Sequence, residues 1–107
     1  MAYSSLLDAV DDVDYENTDL SNVKQLIEEG QAFEEGDWEA ITSMVKESHA
    51  ESAHAEQRGD RDSAMSFSET TVVRLKALYL IDPERTIKLL GELEDPKPYV
   101  KQIEEGN

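Results

Sequence analysis

Proline is confined to the last quarter of this chain, at Pro83, Pro96 and Pro98. No proline therefore interrupts helical hydrogen bonding before residue 83, and a long region is free to form helices. The apolar residues of that region recur at alternating spacings of three and four, as they do on one face of a helix. No segment shows the period-two alternation that is typical of a strand. The sequence consequently predicts an all-α protein.

Turn signals divide this helical region into separate elements. Three main helices are predicted, at about residues 20–34, 38–58 and 61–81, with short helices near the N- and C-terminal ends. Gly59 and about one residue on each side of it separate the second main helix from the third. Because so short a connection forces an antiparallel hairpin, we expect a small antiparallel helical bundle.

Capping residues predict where these helices begin and end. Gly36 is predicted to terminate the first main helix, since glycine readily adopts the left-handed conformation that follows a helix. Asp37 is predicted to cap the next one. Asp82 and Pro83 indicate the start of a further helix, with proline at the first helical position. The stretch 94–98 contains two prolines and predicts a break before a last short helical turn.

The charge of the chain is strongly negative and unevenly distributed. The 107 residues include 25 acidic and 10 basic side chains, for a net charge of −15. Residues 1–39 hold twelve of the acids and a single base, Lys24. Such a surface repels phosphates, so we expect neither direct nucleic-acid binding nor membrane binding.

The sequence is divided into an acidic N-terminal arm with a short helix, residues 1–19, and a helical bundle domain, residues 20–107.

The composition also bears on compartment and chemistry. The chain has no cysteine, which excludes disulfides and thiolate metal sites. Its N-terminus lacks the basic and apolar regions of a signal peptide, and no apolar run approaches the roughly 18 residues of a membrane span. We therefore expect a cytoplasmic protein.

Two patterns suggest metal ligands, and both are incomplete. Residues 12–18 place oxygen-bearing side chains at alternate positions, as an EF-hand calcium loop does. However, Asn17 stands where that loop needs glycine, and Val23 stands where it needs a bidentate glutamate. Glu51 and His54 form one Glu-x-x-His pair, whereas a di-iron helical bundle needs two. We predict no metal and no other cofactor.

Catalytic patterns are equally weak. Several serines lie near His49 and His54 in the sequence, but nearness in sequence does not establish the geometry of a triad. The five glycines form no phosphate-binding loop. The sequence therefore predicts that the protein is not an enzyme.

The acidic third of the chain also carries aromatic side chains, and aromatics bounded by charge are common anchors at protein interfaces. A second interpretation of Trp38 is that its ring plugs one end of the bundle. We predict that a partner contacts the following residues: Asp8, Asp11, Asp12, Asp14, Tyr15, Glu16, Asp19, Glu34, Glu35 and Trp38.

Three functions are compatible with these observations. The first is a non-enzymatic protein–protein interaction or structural assembly module, such as a component of a virion, which binds a basic protein surface and could form a homo-oligomer. The second is an acidic mimic of nucleic acid that inhibits a DNA- or RNA-binding protein. The third is a salt-adapted helical domain of unspecified role, with a composition like that of halophilic proteins.

Overall fold

A computed structural model describes residues 5–93 and 97–105 of the chain. These residues form six α-helices and no β-strand: α1 (Leu6–Asp11), α2 (Ser21–Glu28), α3 (Glu35–Gln57), α4 (Arg61–Ile81), α5 (Pro83–Leu90) and α6 (Lys97–Glu105). Helices account for 76% of the described residues, and they pack compactly against one another. The prediction of an all-α protein is confirmed.

Helix α2 is much shorter than the main helix predicted at residues 20–34. It ends at Glu28 because Gly30 adopts a left-handed conformation with φ of 92°. The N–H of Gln31 then bonds to the carbonyl of Leu26 at 3.0 Å, which completes a glycine-terminated helix end. The glycine that terminates this helix is therefore Gly30, and the prediction of Gly36 was wrong.

Helix α3 begins at Glu35, three residues before the predicted start, and includes Gly36. Its N-cap is Glu34 and not Asp37. The Glu34 N–H donates to the Asp37 carboxylate at 2.9 Å, while the Glu34 side chain accepts from the backbone of Asp37. This reciprocal capping box supplies acceptors for two backbone N–H groups that have no partner within the helix. Glutamate is an uncommon N-cap, so the sequence pattern favoured Asp37 instead.

The connection between α3 and α4 follows the sequence signals closely. Gly59 adopts a φ of 78°, and the carboxylate of Asp60 accepts from the Ser63 N–H at 3.1 Å. Helix α4 spans the predicted range 61–81. Asp82 caps α5 and Pro83 occupies its first turn, as predicted. Of the predicted break at 94–98, residues 94–96 lie outside the described residues, and the prediction was wrong for residues 97–98, which belong to α6.

Apolar side chains from all six helices form the core. On α3 its members lie before Ser48, and on α4 they lie after Thr71. The intervening residues 49–70, which we call the distal hairpin, contribute no side chain to this cluster, and their one buried apolar side chain is the small Ala55. The distal hairpin is held together by direct contacts between α3 and α4, such as the 2.9 Å bond from the Ser52 hydroxyl to the Ala64 carbonyl.

The short helix α1 packs into the same core. Leu6, Val10 and Val13 are buried, and the Leu6 N–H donates to the Gln31 side-chain carbonyl at 2.9 Å. The division into domains at residue 19 stays a prediction. In the part of the chain that the structure describes, none of the helices combines the length and the apolar character needed to cross a membrane.

Candidate functional site

The acidic segment that follows α1 is held in a defined shape by its own hydrogen bonds. The Asp14 carboxylate accepts from the N–H groups of Glu16 and Asn17, at 2.8 and 2.9 Å. The Tyr15 N–H donates to the Thr70 hydroxyl at 3.1 Å. This last bond joins residues that are 55 positions apart and fixes the segment against α4.

A groove with a volume of about 640 Å³ opens where this segment meets α3 and α4. We call it the acidic groove. Its volume falls within the range of known ligand sites. It is lined by Asp14, Tyr15, Met44, Glu47, Ser48, Glu51, Asp62, Ser63, Ser66, Phe67, Thr70 and Arg74.

Apolar side chains form part of the lining of the acidic groove. Met44 packs against the core of the bundle, and Tyr15 is 43% exposed. Phe67 is partly exposed and belongs neither to the core nor to the side chains packed against it. The Phe67 side chain therefore lines the groove and is not part of the core.

Carboxylates surround this apolar surface. Glu47 and Glu51 lie one turn apart on α3, Asp62 lies in the first turn of α4, and Asp14 lies on the segment after α1. The ordinary pKa of tyrosine, about 10, already keeps this hydroxyl protonated at neutral pH, and the hydrogen bond and negative charge of Glu16 raise the pKa of Tyr15 further. The groove therefore combines a neutral aromatic side chain with an excess of negative charge.

Arg74 is the single basic residue among those that line the groove. Its Nε is buried and has no hydrogen-bond acceptor among the described residues. Nor does its guanidinium form an ion pair within the described part of the chain. The groove therefore contains a cationic donor group that the described residues leave without a partner.

Glu34, Glu35 and Trp38 lie elsewhere, where α3 begins beside α5. The Arg85 guanidinium bonds to the Glu35 carboxylate at 2.7 Å and lies 5.0 Å from the Trp38 ring centroid. The hydrogen bond and charge of Arg85 hold the pKa of Glu35 below its usual range. Trp38 is only 7% exposed and meets the Phe33 ring edge to face at 5.1 Å, which agrees with its interpretation as a plug.

The other predicted residues lie outside the groove, on α1 and on the segment after it. The exposed members are Asp8, Asp11, Asp12, Glu16 and Asp19. The carboxylate of Asp19 accepts from the hydroxyl and the N–H of Ser21, at 2.6 and 2.9 Å, which lowers its pKa. Of the ten predicted residues, the structure brings only Asp14 and Tyr15 into the acidic groove.

Several groove residues were missed by the sequence analysis. Glu47, Glu51 and Asp62 are ordinary surface carboxylates when the sequence is considered alone. The sequence carries no separate signal for Phe67, since Thr71 and Leu78 follow it at helical spacing on α4 and are fully buried.

The residues suggested by the metal patterns do not converge. In the described residues, no group of three or more histidine, aspartate or glutamate side chains is placed to hold a metal ion. His49 instead lies 2.6 Å from the Tyr99 hydroxyl, through its Nδ1, and the two rings meet edge to face. His54 is exposed on the distal hairpin.

Comparison of the chain with protein-family models, with curated proteins and with solved structures finds no match in any of the three.

Proposed function

We propose that this protein is a non-enzymatic protein–protein interaction or assembly module that binds a basic partner through the acidic groove. The observation that carries the proposal is the position of Phe67, a partly exposed ring outside the core and beside four carboxylates. Aromatic side chains in such pockets supply much of the binding energy at protein interfaces. The surrounding carboxylates make a basic partner the best complement.

Charge and apolar contact have separate roles in this proposal. The net charge of −15 attracts a cationic partner from a distance and speeds the encounter. Tyr15, Met44 and Phe67 then hold the complex, because burial of apolar area is much less sensitive to salt than charge attraction. The complex is therefore expected to form more slowly at high salt but to remain bound.

The proposal treats α3 and α4 as an antiparallel hairpin that forms two walls of the groove. Two cross-helix hydrogen bonds support this arrangement. The hydroxyls of Ser48 and Thr71 lie 2.7 Å apart, and the Ser52 hydroxyl reaches the Ala64 carbonyl. In these two pairs the residue number rises on α3 as it falls on α4, which is the order expected of an antiparallel hairpin.

The experiment is affinity capture of partners from an extract of the organism that encodes the chain, at about 0.1 M and about 1 M KCl. Wild-type protein is compared with Phe67→Ala and with Glu28→Gln/Glu29→Gln, a control that removes two exposed charges on and beside α2. We expect the control to capture the same proteins as the wild type and Phe67→Ala to lose them. Equal capture by all three proteins would contradict the proposal.

Nucleic-acid mimicry is a second candidate, favoured by the hydrogen bonds within the acidic segment. A mimic needs carboxylates held in a fixed array. The Asp14 carboxylate accepts from the Glu16 N–H, and the Tyr15 N–H donates to Thr70 on α4, so part of that segment is fixed. A duplex DNA or RNA added to the captured complex should then displace the chain, and the affinity should fall steeply with salt. Retention of the complex in the presence of nucleic acid would rule out this candidate.

A further inference from the structure

We propose that the occupant of the acidic groove is a cationic amphipathic α-helix of about twelve residues, lying along α3 and α4. This inference rests on the proposed function and deepens it, because it names the form and chemistry of the segment that the partner presents.

The shape of the distal hairpin supports a helical occupant. Between Ser48 and Thr71 the main core cluster includes no side chain, and the only buried residues there are the small Ala55 and Thr70. Two packed helices leave a groove between their side-chain ridges that accepts the ridge of a third helix. From Asp62 to Arg74, α4 rises about 18 Å, which is the length of a helix of about twelve residues.

The chemistry of the groove also favours a helix over an extended peptide. A helix satisfies its own backbone hydrogen bonds, whereas an extended strand would bring unpaired N–H and C=O groups onto Phe67 and Met44. An apolar stripe on the helix would contact these two side chains. Lysines or arginines on both sides of that stripe would face Glu47 and Glu51 on one wall and Asp62 on the other.

Arg74 sets the direction of the bound helix. Arg74 carries the single positive charge among the residues that line the groove, and its Nε has no acceptor among the described residues. The last four carbonyls of a helix have no intrahelical donor and carry the negative end of the helix dipole. The occupant therefore places its C-terminus near Arg74 and its N-terminus near Asp62.

A second copy of this chain is a poor occupant. Each copy carries a net charge of −15, and a symmetric pairing would bring Glu47, Glu51 and Asp62 close to carboxylates of the other copy. A segment rich in lysine and arginine avoids this repulsion and supplies the missing countercharge.

The experiment measures fluorescence anisotropy of a labelled synthetic peptide of about fourteen residues with the full chain. The peptide carries leucines at helical spacing flanked by lysines, and a scrambled peptide of the same composition is the control. We expect saturable binding of the designed peptide, weakened at least tenfold by Phe67→Ala and about fivefold by Glu47→Gln/Glu51→Gln. Glu28→Gln/Glu29→Gln removes the same charge outside the groove and should change the affinity less than twofold.

The direction is tested by replacing the C-terminal amide of the peptide with a free carboxylate. This change should raise the affinity of the wild type about threefold and should not raise that of Arg74→Gln. An equal effect on both proteins would overturn the assigned direction. Circular dichroism of each variant checks that its helix content matches that of the wild type. If Phe67→Ala loses helix content, Glu47→Gln/Glu51→Gln still tests whether the peptide binds in the groove.

Three outcomes would overturn the inference. Equal binding of the designed and scrambled peptides would show general attraction to an acidic surface, which leaves the proposed function intact. A Phe67-dependent dimer in sedimentation without peptide would make a second copy the occupant. Absence of binding by either peptide would contradict both the helical occupant and the proposed docking of a basic partner.

Discussion

The hydroxyl pair between α3 and α4 permits a quantitative test of how these helices pack. Ser48 and Thr71 are both buried, and their hydroxyl oxygens lie 2.7 Å apart. Each hydroxyl also has an acceptor on its own helix, the Val45 carbonyl at 3.1 Å for Ser48 and the Phe67 carbonyl at 2.8 Å for Thr71. Removal of one hydroxyl therefore leaves the other with an acceptor for its proton.

This geometry determines the size of the effects. Ser48→Ala and Thr71→Val each remove the same cross-helix bond without leaving a buried donor unpaired, so each should cost about 0.5–1.5 kcal/mol of unfolding free energy. The double variant loses that bond only once. It should therefore be more stable than the sum of the single effects predicts, by about 0.5–1.5 kcal/mol.

Urea unfolding of the four proteins followed by circular dichroism measures this coupling. Thr86→Val is the matched control, since Thr86 is also buried and its hydroxyl donates to the Asp82 carbonyl one turn back. The effects of Ser48→Ala and Thr86→Val should be additive. Additive effects of Ser48→Ala and Thr71→Val, within about 0.3 kcal/mol, would refute the bond between α3 and α4.

Four further predictions concern stability. Gly59→Ala should lower the unfolding free energy by about 1–2 kcal/mol, because Gly59 has a left-handed φ. Gly36→Ala within α3 should raise the unfolding free energy by about 0.5–1 kcal/mol. If urea unfolding shows that both variants change the unfolding free energy in the same direction, the assignment of the helix ends is contradicted. Leu6→Ala should cost about 2–5 kcal/mol, since this side chain is buried in the core, and a loss below about 1 kcal/mol would show that α1 does not pack there. Asp60→Ala should lower Tm at neutral pH, because the hydrogen bonds of Ser63 hold the pKa of Asp60 below its usual range. The cap stabilises fully above the unfolded pKa of about 3.9 and loses its effect as the pH falls through the lower folded pKa, so a difference in Tm that persists near pH 2 would contradict this cause. Molar KCl should raise Tm, because screening reduces self-repulsion at a net charge of −15, and a fall in Tm would contradict that explanation.

Much of the helical structure could be predicted because its causes are local. The helical spacing of apolar residues and the sequence from Gly59 to Asp60 predict α4 and the turn before it. The boundary between α2 and α3 could not be predicted in the same way. Gly30 and Gly36 both follow a pair of glutamates, and the capping box of Glu34 selects between them only once the helix forms.

The candidate site was harder to predict because it depends on contacts between distant residues. The uneven charge of the sequence predicted an acidic contact surface, and the predicted contact residues included Asp14 and Tyr15. The bond from Tyr15 to Thr70 spans 55 positions and leaves no periodic pattern in the sequence. Glu47 and Glu51 become groove residues only when the segment after α1 is held against α4, so their role could not be distinguished from that of other surface acids.

The most direct test of the acidic groove is the titration of ¹⁵N-labelled protein with the lysine–leucine peptide, followed by amide chemical shifts. The account predicts saturable shifts concentrated in residues 14–15, 44–51 and 62–74, with α2 and α5 little affected. Shifts that are spread over all acidic surfaces without saturation, or that cluster beside Trp38 and Arg85, would contradict it.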